Sequence, residues 1–258
     1  MELLIKIIVC FIAGAGAGIG TGFAGMSAAA VIGPMLITFL DMPAYTAVGV
    51  GLASDVLASA LSAWTYKKNG NIDVRHGLIM MVCVLVCTTI GSYIATFFPD
   101  DALGDFSIFM MALLGLKFIF FPVLTTRESM EAIPARRRLI QSVVGGVVIG
   151  LICGFAGAGG GMMMLLVLTT LLGYELKTAV GTSVFIMTFS ALTGAVSHFT
   201  MGGLPDLTVL VLCVLFTLLW AKISAVIANR SEPKLLNRIT GVILLTIGLV
   251  IIAVHLLA

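Results

Sequence analysis

A single aspartate inside a long apolar stretch is the residue of this chain best suited to chemistry. Asp55 is the only charged residue in the run 46–66, and an ionisable side chain deep in apolar sequence indicates a function. Ser59, Ser62 and Tyr66 follow it at spacings of four, seven and eleven, which place all four side chains on one helix face. A carboxylate among hydroxyls can bind a proton or a cation, or it can anchor a hydrogen-bonded contact between helices.

A second candidate feature is a glycine phrase that occurs twice. Gly22-Phe23-Ala24-Gly25 recurs as Gly154-Phe155-Ala156-Gly157, and Thr46-Ala47-Val48-Gly49 recurs as Thr178-Ala179-Val180-Gly181, both at the same offset along the chain. A constant offset across two motifs indicates an internal duplication. We therefore divide the single membrane domain 1–258 into repeat one, residues 1–126, and repeat two, residues 127–258.

The glycine phrases could expose backbone N–H groups to a ligand. Helices that begin just after them, at Ser27 or Gly159, would present N–H donors with a partial positive charge. Two such helix ends facing each other would favour a small anion. Close packing of small residues between membrane helices is the alternative explanation for many of the 29 glycines. Gly159-Gly160-Gly161 is nevertheless a poor helix interior, so we predict a binding site at both phrases.

The elements that position these residues are membrane helices. Hydrophobic residues make up 60% of the chain, charged residues 10%, and the mean hydropathy is +1.19. Uncharged stretches reach the ~20 residues that a helix needs to cross a bilayer, and the alternating pattern of membrane barrels is missing. We predict an all-α polytopic protein of the cell (inner) membrane with 8 to 10 helical segments. No basic patch with interleaved aromatic residues suggests nucleic-acid binding.

Two apolar stretches are too long for one crossing. Residues 7–40 and 139–174 contain 34 and 36 residues, and a helix of that length would extend over about 50 Å. Each stretch must therefore break, and the glycine phrases show where. The ordinary crossings are predicted at 46–66, 76–98, 106–125, 178–199, 207–228 and 239–257.

Loop charges give the orientation of these segments. The connections 67–75, 127–138 and 229–238 are rich in lysine and arginine, which is typical of cytoplasmic loops. Counted from these loops, 139–174 enters and leaves on the cytoplasmic side, whereas 7–40 does so on the outer side. The expected fold is two inverted repeats, each a glycine-broken helical hairpin plus three transmembrane helices. Broken helices in inverted repeats are typical of secondary transporters.

The polar residues of the two repeats differ. Asp55 corresponds to Met187, so its chemistry is not duplicated. Ser183, Ser190 and Ser197 recur at intervals of seven in the second repeat, beside Thr182. They can line a path or bond to their own helix. Of the histidines, His198 is expected near the outer surface, and His76 and His255 look incidental.

The duplicated phrases resemble the signature of the TauE/SafE sulfite exporter family. The resemblance rests on Gly22-Phe23-Ala24-Gly25 and on Gly154-Phe155-Ala156-Gly157-Ala158-Gly159-Gly160-Gly161, each followed by an apolar run, a short turn and Thr-Ala-Val-Gly. It implies a prokaryotic-type membrane transporter for small sulfur-containing anions such as sulfite or organosulfonates. The first copy departs from the glycine pattern at Met26-Ser27-Ala28-Ala29, so Ser27 offers a hydroxyl where the second copy offers backbone.

We therefore predict a secondary transporter that exports such anions by alternating access around the two hairpin tips. The expected partners are the anion, the lipid bilayer, and a proton or cation coupled through Asp55; a homo-oligomer is compatible with the sequence, and no metal or other cofactor is expected. A passive anion channel of the same architecture is one alternative, and an intramembrane serine hydrolase using Ser27 is another. The predicted substrate-binding residues are Gly22, Phe23, Ala24, Gly25, Ser27, Gly154, Phe155, Ala156, Gly157, Gly159, Gly160, Gly161, Thr182 and Ser183.

Overall fold

The computed structural model describes residues 2–95, 113–156, 160–202 and 205–257, and these ranges are helices joined by short turns. Six helices within them are long and apolar enough to cross a membrane. The prediction of an all-α polytopic membrane protein is thereby confirmed. The helices are α1 (Glu2–Ala24), α2 (Ala29–Leu40), α3 (Ala44–Lys68), α4 (Val74–Ala95), α5 (113–120), α6 (Arg127–Glu131), α7 (Ala135–Ala156), α8 (Gly160–Thr170), α9 (Leu176–Gly202), α10 (Leu207–Arg230) and α11 (Pro233–Leu257).

Four of the predicted ordinary crossings fall within α3, α9, α10 and α11, and the described part of a fifth, 76–98, falls within α4; these five helices are all candidate membrane spans. The remaining one, 106–125, begins outside the described residues, and its described part is helical over 113–120. The sixth candidate span is α1, at Leu3–Ala24. The first arm of the first hairpin is therefore itself long enough to cross the bilayer.

Both overlong stretches break at their glycine phrases. The first breaks between α1 and α2, where Gly25 has a φ of 61°, a left-handed conformation that glycine adopts without steric cost. The second breaks between the end of α7 and the start of α8; Gly157 and Gly159 lie outside the described residues. The second arm of the first hairpin begins at Ala29, slightly later than the predicted start at Ser27, and the predicted start at Gly159 lies outside the described residues.

The offset of the repeat reappears in the helix bounds and in the packing. Helices α3 and α9 begin at Ala44 and Leu176, which are equivalent positions in the two repeats. Helix α1 packs along α10, and α7 packs along α4. A methyl group at Gly18 would lie 2.7 Å from the Ala221 nitrogen, and one at Gly150 would lie 2.7 Å from Cys87 Cβ. Each long hairpin arm thus packs closely against a helix of the other half, because a matched glycine permits the approach.

Contacts at the helix ends define two opposite ends of the molecule. At one end, which we call the Lys6 end, Lys6 Nζ lies 2.9 Å from Asp206 Oδ2, and the Tyr45 and His198 rings stack with centroids 4.1 Å apart. The start of α1 and the turn after α2 therefore lie at the same end.

At the other end, which we call the Asn229 end, Asn71 Nδ2 donates to Asn229 Oδ1 at 2.7 Å, and Tyr174 donates to Asp73 Oδ2 at 3.0 Å. Arg138 of α7 interacts electrostatically with Tyr174, which precedes α9. The start of α7 and the turn after α8 therefore lie together at the Asn229 end.

Candidate functional site

The Asp55 carboxylate lies against the tip of the first hairpin. Its side chain is fully buried. The Ser27 hydroxyl donates to Oδ2 at 2.7 Å and the Ser59 hydroxyl donates to Oδ1 at 2.6 Å, while the backbone N–H of Ala28 interacts electrostatically with the same carboxylate. Two of these three donors belong to the tip, so Asp55 ties the hairpin to α3.

Local sequence explains why the tip needs this partner. Helix α2 begins after Ala28, an N-cap residue without a side-chain hydrogen bond, and its first turn contains no acidic residue. The first N–H groups of a helix lack acceptors within the helix and carry a partial positive charge. Asp55 supplies from α3 the acceptor that α2 lacks, while the Ser27 hydroxyl accepts from the Ala29 N–H at 3.3 Å.

The polar face of α3 continues from Asp55 toward the Asn229 end. Asp55, Ser59, Ser62 and Tyr66 are all fully buried. The Tyr66 hydroxyl donates to the Gly22 carbonyl at 2.8 Å. The Ser62 hydroxyl has no hydrogen-bond partner within the part of the chain that the structure describes. A buried hydroxyl without a partner is costly, so Ser62 marks a place where a polar ligand or water would be accepted.

The carbonyl groups of the first tip are bound by helices of the second half. Ser183 of α9 donates to the Gly25 carbonyl at 3.0 Å, and Thr240 of α11 donates to the Phe23 carbonyl at 3.2 Å. A methyl group at Gly25 would lie 3.1 Å from Ser183 Cβ. The tip is therefore held from three sides, by α3, α9 and α11.

Several backbone N–H groups of this tip are already paired in this conformation. The Gly25 N–H donates to the Thr21 carbonyl at 3.0 Å, and the Met26 N–H donates to the Gly20 carbonyl at 3.4 Å. The donors directed at a charged group are those of Ser27 and Ala28, and they are directed at Asp55. The Ser27 hydroxyl therefore has a carboxylate partner in this conformation, and the predicted role of the tip donors in substrate binding stays a prediction.

The structure brings some of the predicted site residues together and separates others. Gly25, Ser27, Ser183 and Asp55 meet at the first tip. Thr182 is buried, but its hydroxyl accepts from the Asp73 N–H at 3.1 Å, in the turn before α4. It therefore contributes to the packing of that turn in this conformation.

The second glycine phrase is described only in part. Gly154, Phe155 and Ala156 form the last turn of α7, and Gly160 and Gly161 form the first turn of α8. The predicted convergence of the two tips falls on residues of which the structure describes too little. It stays a prediction.

The serines spaced by seven do not form one uniform row. Ser183 is buried at the tip, Ser190 is half-buried and donates to the Ile186 carbonyl of its own helix at 3.3 Å, and Ser197 is exposed. Ser27 has a carboxylate partner, while His76 contacts Asp73 and His198 contacts the Tyr45 carbonyl. The described side chains thus offer the hydrolase alternative no histidine base at Ser27.

A polar cluster at the Asn229 end was missed by sequence reasoning, which treated His76 as incidental. His76 Nδ1 lies 2.8 Å from Asp73 Oδ2, and the Tyr174 hydroxyl donates to the same oxygen at 3.0 Å. Burial, with the neighbouring Asp73 carboxylate, raises the pKa of Tyr174, so its hydroxyl stays protonated and donates. The spacing of Asp73 and His76 at a helix start was the only sequence signal for this cluster.

Comparison with known proteins now gives the family. The profile of the sulfite exporter TauE/SafE family matches residues 10–251. The chain belongs to the TauE/SafE sulfite exporter family. The match confirms the resemblance drawn from the duplicated glycine phrases, and no solved structure matches the chain significantly.

Curated relatives of this TauE/SafE family member carry transporter names. YunE of Bacillus subtilis, named a probable membrane transporter protein, is 27% identical over 96% of both chains. YdhB of the same organism, named likewise, is 25% identical over 85% of this chain and 89% of its own. A Haemophilus influenzae protein of the same description is 29% identical over 76% and 75%. The family, these relatives and the apolar helices identify a multi-pass membrane transporter.

Proposed function

We propose that this TauE/SafE protein is a secondary transporter that exports small sulfur-containing anions, such as sulfite or organosulfonates, across the cell (inner) membrane. The observation that carries the proposal is the contact between Ser27 and Asp55 at 2.7 Å. It places an ionisable group of α3 against the start of a helix, deep among membrane spans. Ionisable groups in such places mark substrate or ion pathways, and helix starts favour anions.

Alternating access in this proposal relies on two inverted repeats. Support comes from α3 and α9, which pack antiparallel with matching contacts. A methyl group at Gly181 would lie 2.9 Å from Tyr66 Cβ, and one at Gly49 would lie 3.2 Å from His198 Cβ. Both pairs are related by the offset of the repeat, since Gly49 corresponds to Gly181 and Tyr66 to His198. Such reciprocal contacts are what a two-fold relation between inverted halves would produce.

The proposed substrate site comprises the first tip, Gly22 to Gly25 with Ser27, and the second tip, Gly154 to Gly157 with Gly159 to Gly161. Thr182 and Ser183 complete it from α9. Asp55, Ser27, Thr182 and Ser183 are all buried, so a substrate reaches them only after the hairpins move relative to α3 and α9. We propose that this movement opens the site alternately to the two sides of the membrane.

Purified protein in liposomes tests the proposal directly. Uptake of sulfite, sulfoacetate and sulfate is measured with and without a pH gradient, and trans-stimulation by internal anion separates a carrier from a passive channel. We expect saturable, trans-stimulated flux of at least one sulfur-containing anion. An absence of both flux and binding would contradict transport, and flux without saturation or trans-stimulation would favour the channel.

A matched pair of serine variants locates the site. Ser27→Ala removes a donor to Asp55, whereas Ser54→Ala removes an equally buried hydroxyl that donates only to the Val50 carbonyl of its own helix, at 2.9 Å. We expect Ser27→Ala to lower flux about tenfold, the equivalent of one lost hydrogen bond to a charged group, and Ser54→Ala to change it less than about twofold. Equal effects would place the site elsewhere.

A further inference from the structure

We propose that the Asp55 carboxylate is a tethered anion that occupies the donors of the first hairpin tip, and that a substrate anion takes these donors only when Asp55 has accepted a proton. The inference rests on the proposed function and names the ion that accompanies the substrate. It predicts that one proton moves with each anion.

The donors at the tip are those that an oxyanion would use. The Ser27 hydroxyl and the Ala28 N–H, at the start of α2, a helix of 12 residues, both interact with the Asp55 carboxylate. A hydroxyl and a helix start together form a common binding arrangement for sulfate-like groups. In this structure a carboxyl oxygen of Asp55 lies 2.7 Å from the Ser27 hydroxyl, so the tip accommodates an oxygen of this kind.

The carboxylate has no counter-charge among the described residues. Its contacts are the hydroxyls of Ser27 and Ser59 and the N–H of Ala28, all of them uncharged. Helices α1, α2, α9 and α10 pack against α3. The titratable side chains described on these helices and on α3, with the α2 cap residue, are Lys6, Cys10, Asp41, Tyr45, Tyr66, Lys67, Lys68, Lys177, His198, Cys213, Lys222 and Arg230.

These titratable groups have partners elsewhere or lie toward the helix ends. Lys6 contacts Asp206, Lys177 donates to the Asn229 carbonyl, His198 contacts the Tyr45 carbonyl, and Tyr66 donates to the Gly22 carbonyl. A negative charge buried without a cation is expensive. Proton uptake is therefore the direct way to neutralise Asp55 when its donors are taken.

Simultaneous occupation by a substrate anion and an ionised Asp55 is unfavourable. Two negative charges that share the same donors in a medium of low polarity repel strongly. A protonated Asp55 removes the repulsion, releases the Ser27 and Ala28 donors, and can itself donate its new O–H to the anion.

The proposed step transfers a single proton to and from Asp55. One proton from water adds to one carboxylate oxygen as the anion binds, and it returns to water when the anion leaves and the Ser27 and Ala28 donors close on the carboxylate again. No other bond forms or breaks. Because anion and proton travel together, a pH gradient drives the anion toward the alkaline side, and export from an alkaline interior requires a larger outward gradient of the anion.

Direct measurement of proton uptake tests the inference on the unmodified protein. Methanesulfonate is added to purified protein in weak buffer containing a pH indicator, and its Kd is measured from pH 5 to pH 9. We expect one proton per bound anion and, above the pH at which Asp55 ionises, a Kd that rises about tenfold per pH unit. Binding without proton uptake would overturn the inference and leave the transporter proposal intact. An absence of binding by methanesulfonate, together with no flux of any tested anion, would overturn both.

Asp55→Asn provides the matched variant, since asparagine resembles the protonated acid in shape and charge. We expect it to bind methanesulfonate without proton uptake and with a Kd that changes less than about twofold over the same pH range. Asp41→Asn is the control, because Asp41 is an acid of the same half with a left-handed φ of 49° that asparagine also tolerates. It should keep the proton uptake and pH dependence of the wild type. Retained proton uptake in Asp55→Asn would refute the role of this carboxylate.

If the Asp55→Asn variant does not fold, the Ser59→Ala variant provides a second test of the role of the Asp55 carboxylate. Ser59 donates to Oδ1 of Asp55 and is not part of the tip, so its loss destabilises the ionised carboxylate while Ser27 and Ala28 remain. We expect the steep part of the Kd profile to move toward higher pH by about one unit. A shift toward lower pH would contradict the proposal.

Discussion

Helices α3 and α9 begin at equivalent positions of the two repeats, Ala44 and Leu176, but they carry different chemistry. On α3, the buried Asp55 accepts hydrogen bonds from Ser27 and Ser59 at 2.7 and 2.6 Å. On α9, the corresponding residue is Met187, only 4% exposed, whose sulfur lies 3.9 Å from the Ser183 hydroxyl. One helix thus presents a charge to the first tip, and the other presents a thioether.

The contacts that hold the two helices together are duplicated, whereas the ionisable group is not. Gly181 allows close approach of Tyr66, and Gly49 allows close approach of His198. These paired contacts concern shape, which both halves of a two-sided carrier need. A second buried carboxylate would add another large desolvation cost, and one proton site suffices to couple one anion. The duplication is thus visible in the packing of α3 against α9, whereas the ionisable group occurs in one copy.

The strongest test of this comparison is to make α3 resemble α9 with Asp55→Met. The change leaves the Ser27 hydroxyl, the Ser59 hydroxyl and the Ala28 N–H without their acceptor, and a buried donor without an acceptor costs about 1–3 kcal/mol. We expect transport to fall more than about a hundredfold and the melting temperature in detergent to drop. Met187→Leu, which keeps α9 apolar, is the control and should retain transport. Proton-dependent flux in the Asp55→Met variant would contradict the proposal that the Asp55 carboxylate couples anion movement to proton movement.

A second test compares the two matched glycines. A methyl group at Gly181 would overlap the Asn71 carbonyl oxygen and lie 2.9 Å from Tyr66 Cβ, whereas one at Gly49 would meet its nearest atoms at 3.2 Å. We expect Gly181→Ala to destabilise by about 2–3 kcal/mol and Gly49→Ala by about 1 kcal/mol or less, measured by thermal unfolding. Gly33→Ala, with its nearest atom at 3.7 Å, should behave like the wild type. Equal losses at Gly181 and Gly49 would show that the two crossings are equally tolerant.

Much of the fold was predictable because the bilayer restricts the options. Hydropathy located the crossings in α3, α4, α9, α10 and α11, and the glycines located the break at Gly25. The periodicity of Asp55, Ser59, Ser62 and Tyr66 predicted one face, and all four are buried. These features depend on residues close together in sequence, where helix geometry fixes the spacing.

The partners of the site residues were not predictable in the same way. Ser27 was assigned to a substrate, yet its hydroxyl is bound to a carboxylate 28 residues away. Thr240 binds the Phe23 carbonyl from 217 residues away, and a threonine in an apolar helix gives no sign of it. Tertiary packing decides which of several buried hydroxyls meets which carbonyl, and helix periodicity contains no information about the neighbouring helix.

A third test concerns the hydroxyl that closes the tip. Tyr66→Phe removes the bond to the Gly22 carbonyl at 2.8 Å, where both groups are buried. An unpaired buried carbonyl costs about 1–2 kcal/mol, and we expect thermal stability to fall accordingly, with flux lowered about threefold or more because the tip loses an anchor. His198→Phe keeps a ring against Tyr45 at the matched, half-buried position and should cost about 0.5 kcal/mol or less. A larger loss of thermal stability in His198→Phe than in Tyr66→Phe would contradict this expectation.

The smallest expected effect lies at the Lys6 end, where the start of the first hairpin is held by a partly exposed ion pair. Lys6 donates to Asp206 at 2.9 Å, and this hydrogen bond, with that from the Thr208 N–H, lowers the pKa of Asp206. A carboxyl whose folded pKa is lowered stabilises the protein above its unfolded pKa and loses that contribution as pH falls through the folded value. We therefore expect Asp206→Asn to cost about 0.5 kcal/mol or less at pH 7. The difference in melting temperature from the wild type should shrink as the pH falls below the ordinary pKa of an aspartate, about 3.9, and in high salt, whereas a difference that responds to neither would show that the Asp206 contact acts through packing and not through charge.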